Sequence, residues 1–195
     1  MANTVTTITS SSLKVFNPDA LYITPFIDDG EGNAVRGTTT YKLSEVIRDT
    51  TTISQDDPTE NKIENEFGTA PILNNVQLGS YTFSAEVADM QSVLLEKLCG
   101  YKKGTGKTDR VYAPSTYTPI FAEIALAFKV SDTKMVAAIL PKVQLNSKAT
   151  LDSLSTSMGR ITLAGTGQNV AVQDSADNMI ETPFYVDSNW TTAEL

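Results

Sequence analysis

The sequence predicts a mainly β fold, an antiparallel β-sandwich or small barrel with one flanking α-helix and extended loops. Three observations lead to this class. Residues 81–87 alternate apolar and polar side chains with the period of two that is typical of a half-buried strand. Residues 120–130 also alternate, over a longer stretch. Serine and threonine are frequent and often adjacent, and β-branched threonine suits a pleated strand better than a helix.

Further strands are predicted where short apolar or alternating runs are separated by turn residues. The runs 117–130 and 135–140 flank a polar turn and therefore predict a hairpin. Pro141 follows directly, and because proline has no N–H to donate, it predicts a sheet edge or a bulge. The predicted strands, in order, are residues 20–27, 50–54, 61–67, 73–78, 81–87, 117–130, 135–140, 143–145, 150–155 and 160–164.

One segment, residues 90–99, has the spacing of an amphipathic helix that packs on a sheet. Asp89 is the expected N-cap, because its carboxylate can accept a free backbone N–H of the first turn. Gly100 stands where a helix commonly ends. The apolar residues at helical spacing are Met90, Val93, Leu94 and Leu98.

The length of 195 residues fits a single domain, 1–195. Within it we expect a mobile N-terminal arm at 1–19, a loop at 101–116 that is rich in Gly, Lys and Thr, and an extended C-terminal tail at 165–195. The aromatic residues of this tail, Phe184, Tyr185 and Trp190, are expected to dock either on the same chain or on another one.

Composition excludes several classes of function. The formal net charge is −8, with 23 acidic and 15 basic residues, which disfavours a surface that grips a phosphate backbone. Histidine is absent, so the commonest general base and metal ligand is missing. Cys99 is the only cysteine, and without a histidine to activate it we expect a packed thiol. We expect no enzyme activity, no cofactor, and neither a membrane span nor a signal peptide.

Two charged segments are the candidate functional residues. Residues 102–108 end like a phosphate-binding loop, but the required glycine is out of register and the loop follows a helix, so a basic loop that contacts an acidic neighbour is favoured. The acidic segment lacks the pattern of a calcium-binding EF-hand loop and is interpreted as a solvated charged surface. The candidates for an assembly interface or a lumen are Asp56, Asp57, Glu60, Lys62, Glu64, Glu66, Lys102, Lys103 and Lys107.

The order of segments resembles the major tail tube proteins of long-tailed bacteriophages and prophages. The resemblance is carried by TTTISQDDPT and GSYTFS within residues 50–100, by LYITPF near the start, and by AAILPKVQLN at 137–146. It implies a structural protein of the virion, made in the bacterial host cytoplasm, whose hexameric rings stack into a tube. The inner strands of a ring then form one continuous barrel through which DNA passes without specific binding, and loops and the N-terminal arm bridge successive rings.

The implied partners are further copies of the same chain and other tail proteins, without a membrane. The alternating residues Lys62, Glu64 and Glu66 are the candidate face for the lumen or for a subunit interface. A related possibility is the inner-tube protein of a contractile injection or secretion system. The alternative from a different class is a calcium- or carbohydrate-binding β-sandwich module.

Overall fold

The computed structural model describes residues 18–31, 33–43, 45–64, 71–116, 118–131, 134–150, 159–174 and 176–191. In this part of the chain there is one helix, α1 (Ser92–Cys99), among sixteen strands. The strands are β1 (Ala20–Asp28), β2 (Ala34–Arg36), β3 (Tyr41–Leu43), β4 (Thr52–Gln55), β5 (Thr59–Glu64), β6 (Pro71–Gln77), β7 (Tyr81–Val87), β8 (Lys102–Gly104), β9 (Lys107–Tyr112), β10 (Ile120–Ser131), β11 (Lys134–Leu145), β12 (Lys148–Thr150), β13 (Arg160–Gly167), β14 (Val170–Gln173), β15 (Met179–Thr182) and β16 (Tyr185–Trp190).

The predicted fold class is confirmed: the molecule is mainly β, with antiparallel sheets and a single flanking helix. The main sheet has the order β2-β1-β10-β11-β13-β7-β4, and β3, β12 and β16 attach to its members. Three hairpins, β5–β6, β8–β9 and β14–β15, form separate two-stranded sheets. The predicted N-terminal segment at 1–19 lies almost wholly outside the described residues. Most of the predicted strand at 150–155 also lies outside them.

The longest hairpin, β10–β11, is formed as the alternating pattern predicts. The predicted disruption at Pro141 is confirmed as a bulge. Val143 pairs with Ala122 and Leu140 pairs with Ile124, so two residues of β11 stand opposite one residue of β10. The bulge accommodates a proline inside a strand because an unpaired position needs no N–H donor.

Residues 41–43 and 45–47 join the two sides of the main sheet. β3 pairs with β1. A few residues later Val46 forms an antiparallel bridge to Val87, at the end of β7. The N–H of Ala88 also donates to the carbonyl oxygen of Glu45 at 2.9 Å. Because β1 and β7 lie far apart in the strand order, these pairings close the sheet into a small barrel and cover edges that would otherwise be exposed.

The interior of this barrel is the main core. Alternate residues of each wall strand point inward, and α1 contributes three leucines to the same cluster, which explains why the sheet needs a flanking helix. Its buried members are Leu21, Ile23, Leu43, Phe83, Ala85, Val87, Leu94, Leu95, Leu98, Ala122, Ile124, Leu126, Leu140, Val143, Leu145, Ile161 and Leu163.

The helix begins two residues later than predicted, and the predicted N-cap is wrong. Gln91 occupies the N-cap position and makes no capping bond with its side chain. Asp89 instead accepts the backbone N–H of Gln91 at 3.0 Å, so it forms a turn before the helix. The C-terminal prediction is confirmed, because Gly100 adopts the left-handed conformation at φ 72°.

The outer face of β1, β10 and β11 is covered by the C-terminal segment. Small side chains, among them Ala125, Ala127 and Ala137, leave room for the large ring of Trp190, which is only 3% exposed. Its ring centroid lies 5.3 Å from that of Tyr22, in a tilted arrangement. This second apolar cluster makes β1, β10 and β11 buried on both faces.

The predicted C-terminal tail at 165–195 is largely strand in the described residues. β13 continues to Gly167, β14 and β15 form a hairpin, and β16 pairs with β11. The aromatic residues dock on their own chain: Tyr185 and Trp190 join the outer cluster, and Phe184 stacks on Tyr81 at 4.9 Å. Glycine and asparagine content suggested a tail, but both glycines, Gly165 and Gly167, lie within β13, whereas Asn169 and Asn178 lie between strands.

The predicted loop at 101–116 is also wrong over most of its length. β8 and β9 form a hairpin in which Lys102 pairs with Tyr112 and Lys103 with Val111. The Gly- and Thr-rich centre of the segment is its turn, and the pairing extends on both sides of it. The polar composition concealed the strands because, among the side chains of β8 and β9 that the structure describes, Val111 alone packs against the core.

Two exposed hairpin turns, between β1 and β2 and between β14 and β15, share one arrangement. In each turn, the Oδ1 atom of an aspartate accepts hydrogen bonds from the backbone N–H groups of the residues two and four positions later in the chain. In the first turn Asn33 Nδ2 donates back to Asp29 Oδ2 at 3.0 Å. In the second Asn178 Nδ2 donates to Asp174 Oδ2 at 3.2 Å. Each carboxylate therefore holds its three-residue loop closed.

These hydrogen bonds predict a pH dependence. They lower the pKa of Asp29, chiefly through Asn33, and the pKa of Asp174, chiefly through the backbone N–H of Asn178. A carboxyl group whose pKa is lowered on folding stabilises the protein above its unfolded pKa of about 4, and the effect is lost as pH falls through the folded pKa. The double variant D29A/D174A should therefore have a lower Tm than wild type at pH 7.

The difference in Tm should narrow as the pH is lowered below about 4, because protonation then removes the same bonds from the wild type. Thermal unfolding followed by circular dichroism from pH 7 to pH 2 measures it. Glu31→Ala is the matched control, since its side chain lies in the same turn and only its backbone N–H takes part in the hydrogen bonds to Asp29. A difference in Tm that stays constant over this range contradicts the prediction.

Candidate assembly surfaces

The hairpin β5–β6 extends the β4–β7 pair beyond the barrel. The pairing of β4 with β7 ends at Gln55, the N–H of Asp56 donates to the carbonyl oxygen of Ser80 at 2.9 Å, and pairing resumes at Thr59. In the part of the chain that the structure describes, β5 and β6 pair only with each other. We call this hairpin the arm. Residues 56–58 lie outside any strand, at its base.

The acidic candidates lie on this arm. Asp56, Asp57 and Glu60 are exposed at its base and at the start of β5. Lys62 and Glu64 belong to β5. Glu66 lies outside the described residues. The backbone therefore brings five of the six predicted residues of the acidic segment onto one projecting element.

The basic candidates lie on the separate β8–β9 hairpin. Lys102 and Lys103 are exposed on β8, and Lys107 is the first residue of β9. This hairpin packs against α1, and Val111 faces the core. Lys102 pairs with Tyr112. The sequence assigned these three lysines to a loop, whereas the structure places them on a hairpin.

Sequence reasoning missed two residues of the basic hairpin. Arg110 and Tyr112 flank Val111, and because Val111 points inward, its neighbours point outward with Lys102. Tyr112 is 53% exposed. The alternation Arg–Val–Tyr is the signal that could have found this outward face, but the segment had been assigned to a loop.

Large exposed apolar side chains concentrate on the peripheral hairpins. Leu78, which follows the arm, is 75% exposed, and Met179 in the β14–β15 hairpin is 65% exposed. Such residues placed together on projecting hairpins mark surfaces that another molecule can cover. The members on the four hairpins are Ile27, Val35, Val76, Leu78, Tyr112, Met179 and Ile180.

A groove of about 830 Å³ lies between the β1–β2 hairpin, the end of α1 and residues 114–116 and 118–121. Phe26, Ile27 and Ile120 form apolar parts of its wall. Cys99 also lines it, and burial raises the pKa of this thiol to about 11. The thiol is therefore protonated at neutral pH and is a poor nucleophile.

The described part of the chain holds no group of three or more His, Cys, Asp or Glu side chains placed to bind a metal ion. Asp56, Asp57 and Glu60 therefore do not form such a group, and the calcium-binding alternative gains no site from them. Among the residues described, no helix is long and apolar enough to cross a membrane.

The geometry thus consists of a closed apolar core and projecting hairpins of opposite charge. No protein-family model matches the chain, and no curated protein matches it. The function has to be inferred from these surfaces.

Proposed function

We propose that this chain is a structural subunit that assembles with copies of itself into hexameric rings, which stack into the tail tube of a phage virion. It is made in the bacterial host cytoplasm, meets other tail proteins in the virion, and lets DNA pass without specific binding or catalysis. The observation that carries the proposal is the distribution of exposed large apolar side chains, most of which lie on hairpins around a core that is already closed.

The edges of the hairpins support assembly. In the part of the chain that the structure describes, no further strand pairs with the edges of the two-stranded sheets, and such strand edges pair readily with a second chain. Burying Leu78 or Met179 removes apolar surface from water at about 25 cal/mol per Å². A ring closes all such contacts at once, because every copy offers both sides of the same interface.

The positions of the resembling segments also support the proposal. GSYTFS covers the two residues before β7 and its first four residues, and AAILPKVQLN covers most of β11 and the residue after it. Both strands belong to the wall of the barrel, so the resemblance concerns the scaffold itself. The net charge of −8 suits a conduit for DNA, because a negative wall repels phosphate and lets the strand slide.

Electron microscopy of the purified protein tests the proposal. At high protein concentration, negative-stain images should show rings or tubes with a central hole, and class averages of rings should have six-fold symmetry. Sedimentation velocity over a concentration series should show the matching large species. Particles that stay monomeric at every concentration and ionic strength would refute the proposed function.

A further inference from the structure

Two hairpins of this chain carry complementary surfaces. The acidic patch consists of Asp56, Asp57 and Glu60 with the exposed apolar residues Val76 and Leu78. Register places Val76 opposite Glu60. Since Asp56 bonds to Ser80 and Thr59 pairs with Gln77, Leu78 lies across from the segment 57–58. Carboxylates and apolar side chains are therefore neighbours on the arm.

The basic patch consists of Lys102 and Arg110 with Tyr112. Lys102, Arg110 and Tyr112 share the outward face of the β8–β9 hairpin, because Val111 between them packs on the core. This concentration of cations stands out in a chain with 23 acidic and 15 basic residues. Both patches combine charge of one sign with exposed apolar surface.

The two patches sit on different sheets. In the described part of the chain the arm continues the β4–β7 pair, whereas the basic hairpin follows α1 and packs against it, and no strand pairing joins them. An arm that projects from one place and a complementary surface at another form a head-to-tail contact between identical chains. Such heterologous contacts generate closed rings or stacked filaments.

We propose that the acidic patch of one copy docks on the basic patch of the next copy. The carboxylates of the arm face the ammonium and guanidinium groups of β8–β9, and Leu78 packs beside Tyr112. Complementary charge sets the partner and the register of such a contact more than its affinity, and it is screened by salt. This inference rests on the proposed self-assembly and names the surfaces that carry it.

Charge reversal in two separate variants tests the contact. D56K/D57K gives the arm the charge of the basic patch, and K102E/R110E gives the hairpin the charge of the arm. Each variant alone should need at least about tenfold more protein to assemble than wild type, since attraction becomes repulsion. Mixed in equal amounts, the two variants should assemble, because each then finds an opposite surface on the other. Light scattering and electron microscopy at about 0.1 M salt measure this.

The control pair D19K/E45K changes net charge by the same amount as D56K/D57K, and both residues are exposed and lie outside the hairpins, so it should assemble like wild type. Circular dichroism shows whether every variant is folded. The mixture can co-assemble only if both variants are folded. If wild type and both variants assemble alike, if the mixture stays dispersed, or if the control fails equally, the inference is wrong while the proposed function stands. A wild type that never assembles overturns both.

Discussion

Replacing Trp190 by alanine should destabilise the fold by about 3–5 kcal/mol, the range typical of removing a buried large aromatic side chain. Trp190 is 3% exposed and lies on the alanine-rich outer face of β10 and β11. The alanines cannot expand into the space that the ring vacates, so a cavity remains and Tyr22 loses its aromatic neighbour. The pairing of β16 with β11 also loses a stabilising side chain, because Trp190 pairs with Met135.

Urea unfolding followed by far-ultraviolet circular dichroism measures the loss, since the variant has no tryptophan to report fluorescence. Trp190→Phe should recover part of the stability. Val186→Ala is the matched control on the same strand: Val186 is 57% exposed, so its change should stay within about 0.5 kcal/mol. Equal effects of W190A and V186A would show that β16 contributes little packing.

The wall of the barrel could be predicted from the sequence. Residues 81–87 form β7 over the predicted bounds, and the long hairpin and the bulge at Pro141 follow from alternation and from the missing N–H of proline. These signals are local, because the alternation of apolar and polar side chains within each strand indicates which of its faces is buried. The helix is predicted for the same reason, with an error only at its first turn.

The closure of the barrel could not be predicted in the same way. Val46 and Val87 are brought together by pairing between distant parts of the chain, and the short segment around Val46 has no period that identifies it as a strand. The docking of Trp190 is equally non-local, since it depends on small side chains that three different strands place on one face. The sequence indicates that the aromatic ring of Trp190 needs a surface to pack on, but it does not identify that surface.

The candidate surfaces were predictable in part. The acidic residues on the arm and the lysines of β8 are visible as charge runs, because exposed charges need no tertiary context. Arg110 and Tyr112 were missed because their role depends on the direction of Val111, which only the packing of the hairpin on α1 fixes. Leu78 was assigned to a strand, and only the structure shows that it is exposed.

Replacing Gly79 by alanine should abolish assembly and destabilise the monomer by roughly 1–3 kcal/mol, as overpacking typically does. A β-carbon at this position would overlap the backbone carbonyl carbon and oxygen of Asp56, which cannot rotate away as a side-chain end can. The overlap lies where the N–H of Asp56 donates to the carbonyl oxygen of Ser80. To relieve it, the two strands at the base of the arm must separate, and the arm then leaves the orientation that presents it to a neighbour.

Ser80→Ala is the matched control, because it alters the adjacent exposed residue and keeps the backbone carbonyl that accepts from Asp56. It should assemble like wild type. Amide hydrogen exchange of Asp56 should be faster in G79A and unchanged in S80A, while the amides of β10 and β11 stay protected in both. Faster exchange at Asp56 with normal rings would mean that the arm's base is not part of the assembly contact. Loss of rings together with loss of protection throughout β10 and β11 would mean that Gly79 acts on the whole fold.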